Sequence, residues 1–246
     1  MKRIHIISHC WCPPGTNEYA QTLKWQLTSL IQHRPPDLRV NATICCNPED
    51  TTTIRVLREI DKFNFRTGLE FVAYQLHKPQ LFTRAYGRNL VAQESDCSIV
   101  WFCDCDYVFG EGCLEAVADQ VVEDDVLYYP GEQLITEGHE LGARILLDNL
   151  DTSLPEIDPA QYVPKRIRKA IGGLQIVTGN TARKGYLDDT KWTRPVDEAG
   201  GFRNTKCDMA YRKTIPRSQK IHVPNLYRMR HQVTGLFLDL QGNPQG

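Results

Sequence analysis

An apolar run followed by two aspartates constrains the fold of this chain more than any other stretch. Residues 99–103 contain no polar side chain, which predicts a strand buried on both faces of a mostly parallel sheet. Asp104 and Asp106 follow at the point where this strand leaves the core. Side chains two residues apart on an extended chain lie on one face, so we expect the two carboxylates to converge.

The convergence of two carboxylates limits what the site can contain, because they repel each other unless a cation or a shared proton lies between them. Carboxylate oxygens suit hard divalent cations, which also bind phosphates. The leading interpretation is therefore a metal–diphosphate site at Asp104 and Asp106. Asp-x-Asp pairs also occur in solvated turns that cap a following helix. The buried strand before this pair and the Gly110-Glu-Gly112 turn after it favour the functional interpretation.

The composition sets limits on the class of protein. A chain of 246 residues can bury a substantial core, and one α/β domain is the simplest prediction. The 29 basic and 30 acidic residues balance, which gives no case for binding nucleic acid or a membrane surface. The apolar residues after Met1 are too few for a signal peptide or a transmembrane segment. Nine cysteines without a Cys-x-x-Cys pair predict buried, reduced thiols and a cytoplasmic protein, with a structural zinc site as the lesser alternative.

The first hundred residues alternate between predicted strands and predicted helices. Strands are predicted at residues 2–8, 40–46, 69–76 and 99–103, and helices after Thr16 as N-cap, after Asp50 and over residues 83–94. This alternation predicts a parallel sheet with helices on both faces. Ligands of such sheets bind beyond the carboxyl ends of the strands. We therefore expect the loops 9–15, 47–50 and 104–106 to share one mouth.

The second half of the chain has weaker patterns. Helices are predicted near residues 114–122 and 137–149, strands at 126–130 and 220–223, and a frayed tail at 241–246. The basic cluster Lys165-Arg166-Ile-Arg168-Lys169 is typical of a solvated helix face. Beside a phosphate site, the same cluster would be able to clamp a substrate.

Two motifs at a set distance carry a resemblance to a known family. Arg84-Ala-Tyr-Gly-Arg88-Asn89 precedes Asp104-Cys-Asp106, with Asn89 and Asp104 fifteen residues apart. Together with the opening strand and helix, this pair resembles the nucleotide-sugar glycosyltransferases of the glycosyltransferase A fold, and it is similar to family 2. The resemblance implies one Rossmann-like α/β domain over residues 1–246, with a mixed, mostly parallel sheet flanked by helices. Residues 1–118 would bind the nucleotide sugar, and residues 119–240 would bind the acceptor.

The resemblance implies roles for individual residues. Asp106 would coordinate Mn²⁺ or Mg²⁺ that bridges the donor diphosphate, and Asp104 would bind the donor ribose or a metal-bound water. Asp208 would be the general base on the acceptor hydroxyl in an inverting displacement, although Cys207 stands where the family has a Glu. His231 would be a third metal ligand. The other donor-binding candidates are Ser8, His9, Asn47 in place of a base-reading Asp, Arg88, Arg228 and Arg230.

The substrates implied are a nucleotide-diphosphate sugar and an acceptor hydroxyl on a glycan, a lipid-linked molecule or a small molecule. An inactive carbohydrate-binding relative of these enzymes is one alternative. Against this alternative, the chain retains Asp104, Asp106, Asp208 and His231 together.

The main alternative enzyme is a phosphatase of the haloacid-dehalogenase type, whose Asp-x-Asp also ends an apolar strand. Thr178, Lys184 and Asp188-Asp189 resemble the later motifs of those phosphatases. Their Asp-x-Asp normally follows the first strand, however, whereas three strand–helix units precede Asp104 here. A nucleotidyltransferase is less favoured, since the N-terminal region has no Gly-rich phosphate loop with a trailing Arg and Lys.

Overall fold

The structure is a computed structural model that describes residues 2–64, 69–187, 190–195, 206–230, 237–238 and 244–245. The strands are β1 (Arg3–His9), β2 (Arg39–Cys46), β3 (Leu69–Gln75), β4 (Ile99–Phe102), β5 (Tyr107–Phe109), β6 (Val126–Pro130), β7 (Glu132–Thr136), β8 (Tyr162–Arg166), β9 (Gln175–Thr178), β10 (Arg217–Ile221), β11 (Leu226–Arg228), β12 (Phe237–Leu238) and β13 (Pro244–Gln245). The helices are α1 (Glu18–His33), α2 (Thr51–Asn64), α3 (Lys78–Phe82), α4 (Arg84–Glu94), α5 (Cys113–Gln120), α6 (His139–Asp148), α7 (Gly179–Arg183), α8 (Thr190–Thr193) and α9 (Cys207–Thr214).

A seven-stranded sheet in the order β10-β6-β9-β4-β1-β2-β3 forms the centre of the molecule. Strands β4, β1, β2 and β3 run parallel to one another, and β10 runs parallel to β6. Strand β9 pairs antiparallel with both β4 and β6. The prediction of a mixed, mostly parallel sheet flanked by helices is confirmed.

Strand β4 is buried on both faces, as its apolar run predicted. Ile99 and Trp101 belong to the core beneath one face of the sheet, while Val100 and Phe102 belong to the core beneath the other. Leucines of α1 and apolar residues of α2 and α5 complete the first core, and α4, α7 and α9 contribute to the second. A fully buried apolar side chain contributes about 2 kcal/mol to the free energy of unfolding, so the four buried side chains of β4 anchor the sheet. The site is built directly at its carboxyl end.

A second sheet, in the order β5-β11-β7-β8, packs beside the first. Val108 of β5, Ile145 and Leu146 of α6 and Met229 form a third core with Trp25. The sequence did not predict the four strands of this sheet, because each is short and its partners are distant in sequence. The sheet matters for the site because antiparallel pairing of β11 with β5 sets Arg228 opposite Tyr107.

Several local predictions are corrected. Helix α1 begins at Glu18 with Asn17 as its N-cap, since the Thr16 hydroxyl donates to the carbonyl of Pro13 in the preceding loop. Helix α4 confirms the helix predicted over residues 83–94, whereas the short helix α3 before it was not predicted. Lys165 and Arg166 lie on β8 and not on a helix face, because β8 pairs antiparallel with β7.

Two further predictions concern the cysteines and the tail. All nine cysteines are buried and free, as predicted. Within the tail that was predicted to be frayed, residues 241–246, Pro244–Gln245 pairs antiparallel with Phe237–Leu238. Among the described helices, none combines the length and the apolar character needed to cross a membrane.

Candidate functional site

Asp104 is held by two arginines that α4 presents one turn apart. Arg84 Nη1 donates to Asp104 Oδ1 at 2.8 Å, and Arg88 Nη2 donates to the same oxygen at 3.2 Å. Burial raises the pKa of Asp104, but Arg84, Arg88 and Arg228 outweigh it and keep this pKa below its ordinary value. Asp104 is therefore a carboxylate at neutral pH. Arg84 was not among the predicted site residues, although its spacing of four from Arg88 placed it on the same helix face.

Asp106 is held by a different arginine, from the second sheet. Arg228 Nε donates to Asp106 Oδ2 at 2.8 Å, and the Arg228 guanidinium lies 5.2 Å from the centre of the Tyr107 ring. Burial raises the pKa of Asp106 above its ordinary value despite the attraction of Arg228, and the charge of Asp104 adds to this rise. Among the described residues, none donates a hydrogen bond to the buried Asp106 Oδ1.

Asp208 and Asp104 both contact the same glycine segment, Gly172–Gly173. The Gly172 N–H donates to Asp208 Oδ2 at 2.8 Å. A Cβ on Gly172 would lie 3.1 Å from Asp104 Oδ2, and one on Gly173 would lie 2.4 Å from the Asp104 nitrogen. The segment can lie against Asp104 only because both residues lack a side chain. The predicted general base and the predicted metal-binding aspartates are thus at one site.

A buried chain of hydrogen bonds also joins the two sides of the site. Arg88 Nη1 donates to the Tyr186 hydroxyl at 2.9 Å, and that hydroxyl donates to Gln175 Oε1 at 2.8 Å. Gln175 Nε2 then donates to the backbone carbonyl of Asp208 at 2.8 Å. The Tyr186 ring stacks on Tyr211 of α9, with centroids 4.1 Å apart. Sequence reasoning missed Tyr186 and Gln175, for which no local pattern gave a signal.

Ser8 and Asn47 lie behind the mouth of the site. The Ser8 hydroxyl donates to Gln26 Oε1 at 2.9 Å, and Gln26 Nε2 donates to the Asp104 carbonyl at 2.9 Å. Asn47 Nδ2 donates to the Leu76 carbonyl at 2.8 Å, which links the ends of β2 and β3. Both side chains support the loops around the site. Their predicted contacts with a donor stay predictions.

His9 and Arg88 are also buried. His9 ends β1 and packs against α4, where a Cβ on Gly87 would lie 2.6 Å from His9 Nε2. Burial, assisted by Arg88 and Arg84, keeps the pKa of His9 well below its ordinary value, so the ring is neutral at pH 7. Arg88 has no solvent exposure and is an ion-pair partner of Asp104. A direct donor contact by either residue stays a prediction.

The last two predicted residues follow β11. Arg230 Nη2 lies 3.2 Å from His139 Nε2, and the Arg230 N–H donates to the Thr136 hydroxyl at 2.9 Å. His231 lies outside the described residues. Within the described part of the chain, no three His, Cys, Asp or Glu side chains are arranged to hold a metal ion. The set of three metal ligands therefore stays a prediction.

The two aspartates nevertheless fit a divalent cation. Asp104 accepts both arginines through Oδ1, and Asp106 accepts Arg228 through Oδ2, so each carboxylate keeps one oxygen for another ligand. Mg²⁺ in particular is commonly bound by one or two carboxylates and completed by substrate phosphates and water. The two carboxylates and three guanidiniums of these ion pairs sum to a charge of +1. The arrangement suits an anionic ligand with or without a bound cation.

Comparisons with solved structures identify the fold. TarS of S. aureus shares 12% identity over 93% of this chain, with a TM-score of 0.52. A mannosyltransferase of Pyrobaculum calidifontis, in complex with GDP-Man and Mn²⁺, shares 12% identity over 92% of this chain, also at 0.52. A shorter TarS structure, in complex with UDP, shares 14% identity over 92% of this chain, at 0.51. The chain has the glycosyltransferase A fold.

The match has limits in sequence and in length. This chain spans 37%, 56% and 60% of the full TarS, mannosyltransferase and shorter TarS chains, respectively. No protein-family model matches the chain, and no curated protein sequence matches it. At such low identity the comparison establishes the glycosyltransferase A fold, and the activity rests on the site.

The phosphatase alternative does not agree with the glycosyltransferase A fold of this chain. Thr178 pairs with Ile99, at the amino end of β4. Phe102, at the carboxyl end of β4, is about 10 Å from Ile99, and Asp104 lies beyond it. The Thr178 hydroxyl donates to Asp124, and Lys184 forms an ion pair with Asp125. Asp188 and Asp189 lie outside the described residues. Thr178 and Lys184 therefore do not form one site with the Asp-x-Asp pair.

Proposed function

We propose that this chain transfers a sugar from a nucleotide-diphosphate donor to an acceptor hydroxyl. One observation carries the proposal: Asp208 and Asp104 lie on either side of Gly172, although they are far apart in sequence. A base for the acceptor and a binding site for the donor diphosphate are thereby next to each other. Residues 1–118 form the donor half and residues 119–240 the acceptor half.

The proposed base is ready to accept a proton. Asp208 Oδ2 accepts the Gly172 N–H, while Oδ1 accepts no hydrogen bond from another described residue. Its backbone is held by Gln175, which limits the positions that the carboxylate can take. In an inverting displacement the oxygen of the acceptor hydroxyl attacks the anomeric carbon while Asp208 takes the proton of that hydroxyl. The bond between the anomeric carbon and the diphosphate breaks at the same time. A positioned base of this kind contributes about 10²- to 10⁴-fold to the rate.

The opposite side of the site binds the leaving diphosphate. Arg84 and Arg228 are only partly buried, so their guanidiniums can reach phosphate oxygens while they hold Asp104 and Asp106. Mn²⁺ or Mg²⁺, when bound by Asp104 and Asp106, supplies further positive charge to the diphosphate. Arg88, which has no solvent exposure, keeps Asp104 in place through their ion pair. The mannosyltransferase structure with GDP-Man and Mn²⁺ supports a cation and a nucleotide sugar in this fold.

Thermal shift with a panel of nucleoside diphosphates and nucleotide sugars, with and without Mn²⁺, tests the proposal first. A ligand at one hundred times its Kd stabilises the folded chain by about 2.7 kcal/mol, so the panel should identify the nucleobase of the donor. Donor turnover is then compared between the wild-type chain and Asp208→Asn, which can still accept the Gly172 N–H. We expect unchanged donor binding and turnover lowered at least about 100-fold.

The possible results separate the candidate functions. Full turnover by Asp208→Asn would remove Asp208 as the base. Donor binding without turnover by the wild-type chain would assign an inactive carbohydrate-binding relative. No stabilisation by any nucleotide would overturn the proposal itself.

A further inference from the structure

Four exposed cations lie close together in sequence, just before Gly172 of the proposed acceptor side. The basic strip (Lys165, Arg166, Arg168 and Lys169) begins on β8 and continues toward Gly172. Some other surface cations are paired, such as Arg3 with Asp96, Lys184 with Asp125 and Arg217 with Glu123. Among the ion pairs between described residues, none includes a member of the basic strip. Within the described part of the chain, the four cationic groups therefore have no carboxylate at ion-pair distance.

The main chain that carries the basic strip is fixed along its length. The Ile167 N–H donates to the Gly131 carbonyl at 2.9 Å, and the Tyr129 hydroxyl donates to the Arg168 carbonyl at 3.3 Å. Arg212 Nη1 donates to the Ala170 carbonyl at 3.3 Å. Because the backbone is already ordered, a ligand of the basic strip has less conformational entropy to remove.

The basic strip is also close to the proposed base. Lys169 and Gly172 are three residues apart, a span of at most about 11 Å. The Gly172 N–H in turn donates to Asp208 at 2.8 Å. A single acceptor molecule is therefore able to contact the strip while its hydroxyl lies at Asp208.

Protection of an exposed strand edge explains only part of the basic strip. Cations on an edge strand prevent pairing with other chains, and Lys165 and Arg166 lie on β8, which forms one edge of the second sheet. Glu132 lies opposite Arg166 in the register of β7 and β8. Arg168 and Lys169 lie beyond the strand, where no edge needs protection.

We propose that the basic strip binds phosphate groups of the acceptor, so that the acceptor is a phosphate-bearing molecule. This inference rests on the proposed function, since it concerns the substrate that receives the sugar. Guanidinium and ammonium groups bind phosphate oxygens through charge-assisted hydrogen bonds. The phosphate belongs either to a soluble phosphate-bearing chain or to a lipid headgroup, and the two sources present the same chemistry to these side chains.

The test uses the full chain and two probes, inorganic polyphosphate and phosphatidylcholine vesicles that contain phosphatidylglycerol. The variant is Arg168→Ala with Lys169→Ala, which removes two exposed side chains. The matched control is Arg58→Ala with Lys62→Ala, which removes the same two residue types from the exposed surface of α2. Pure phosphatidylcholine vesicles are the neutral control.

We expect at least one anionic probe to bind the wild-type chain, and the variant to bind it about 25-fold more weakly. This figure assumes about a fivefold loss for each cation removed from a phosphate surface. The Arg58/Lys62 control should retain its affinity. Binding to polyphosphate would indicate a soluble phosphate-bearing acceptor, and binding to the anionic vesicles alone would indicate a lipid-linked one.

Equal binding by the variant and the control, or no binding to either probe, would overturn the inference. Nucleotide-dependent thermal stabilisation, measured on the same samples, reports separately on the donor site. If nucleotides fail to stabilise the wild-type chain while polyphosphate binding still needs the basic strip, the proposed function fails and the phosphate site does not.

Discussion

Arg88 donates a hydrogen bond to Asp104 from a position with no solvent exposure, with 3.2 Å between Nη2 and Oδ1. The same guanidinium donates to the Tyr186 hydroxyl and lies 5.9 Å from the centre of the Phe102 ring. The free-energy cost of burying a cation must be offset by an ion pair and by hydrogen bonds. Arg88 therefore links the helix α4 to Asp104 beyond the end of β4 and to Tyr186.

The first prediction concerns this buried arginine. We expect Arg88→Ala to lower the free energy of unfolding by about 3 kcal/mol, because Asp104 and Tyr186 each lose a buried partner. Urea denaturation of the wild-type chain and the variant measures the change. Arg3→Ala is the control, since the exposed Arg3–Asp96 pair should contribute less than about 1 kcal/mol. Equal losses for the two variants would contradict the assigned role of Arg88.

The first half of the fold was predictable because its signals are local. The apolar run of β4 has period-two packing on both faces, and the stripe of α1 places Leu23, Leu27 and Leu30 in the core. Asp104 and Asp106 were found by their position after a buried strand. These patterns depend on neighbours within a few residues, and they need no knowledge of distant partners.

The rest of the site depends on contacts that no local pattern encodes. Tyr186 meets Arg88 across 98 residues of sequence, and Arg228 meets Asp106 across 122 residues. The strands β5, β7, β8 and β11 are at most five residues long, so their alternation is too brief to identify them. The basic cluster at 165–169 is typical of a helix face by its sequence alone, because the pairing of Lys165 and Arg166 with β7 joins residues that are distant in sequence.

The second prediction concerns the glycine against Asp104. We expect Gly173→Ala to lower the free energy of unfolding by about 1 to 3 kcal/mol and to weaken nucleotide binding, because the new Cβ would overlap the Asp104 backbone. Urea denaturation and nucleotide thermal shift measure the two effects. Gly15→Ala is the control: at φ +82° it meets no atom within 4 Å, so it should cost about 1 kcal/mol through strain alone. Unchanged nucleotide binding by Gly173→Ala would show that the site tolerates a displaced Asp104.

The third prediction concerns the cation. Asp106→Asn removes one negative charge from the carboxylates that would hold Mn²⁺, so we expect the Mn²⁺-dependent part of nucleotide stabilisation to be lost. Stabilisation by the nucleotide alone should remain, since Arg84 and Arg228 are retained. Thermal shift with and without Mn²⁺ measures both parts. Asp96→Asn makes the same change in an exposed ion pair with Arg3 and should keep the full Mn²⁺ effect. A full Mn²⁺ effect in Asp106→Asn would remove Asp106 as a metal ligand.

The fourth prediction concerns His5, a buried histidine of strand β1. His5 Nδ1 lies 2.8 Å from the Ser95 hydroxyl and Nε2 lies 2.7 Å from the Thr43 hydroxyl. Burial lowers the pKa of His5 to about 4, although the charge of Asp96 opposes this shift. In the unfolded chain a histidine titrates near pH 6.5.

Between these two pKa values the unfolded chain binds a proton that the folded chain does not. Stability is therefore full above about pH 6.5 and is lost as the pH falls toward about 4. From pH 7 to pH 5 we expect the wild-type chain to lose about 2 kcal/mol more than His5→Gln, which cannot titrate. Urea denaturation of both chains at the two pH values measures the difference. If the wild-type chain and His5→Gln lose the same free energy of unfolding, His5 is protonated inside the folded chain. The hydroxyls of Ser95 and Thr43 would then have to accept hydrogen bonds from both ring N–H groups.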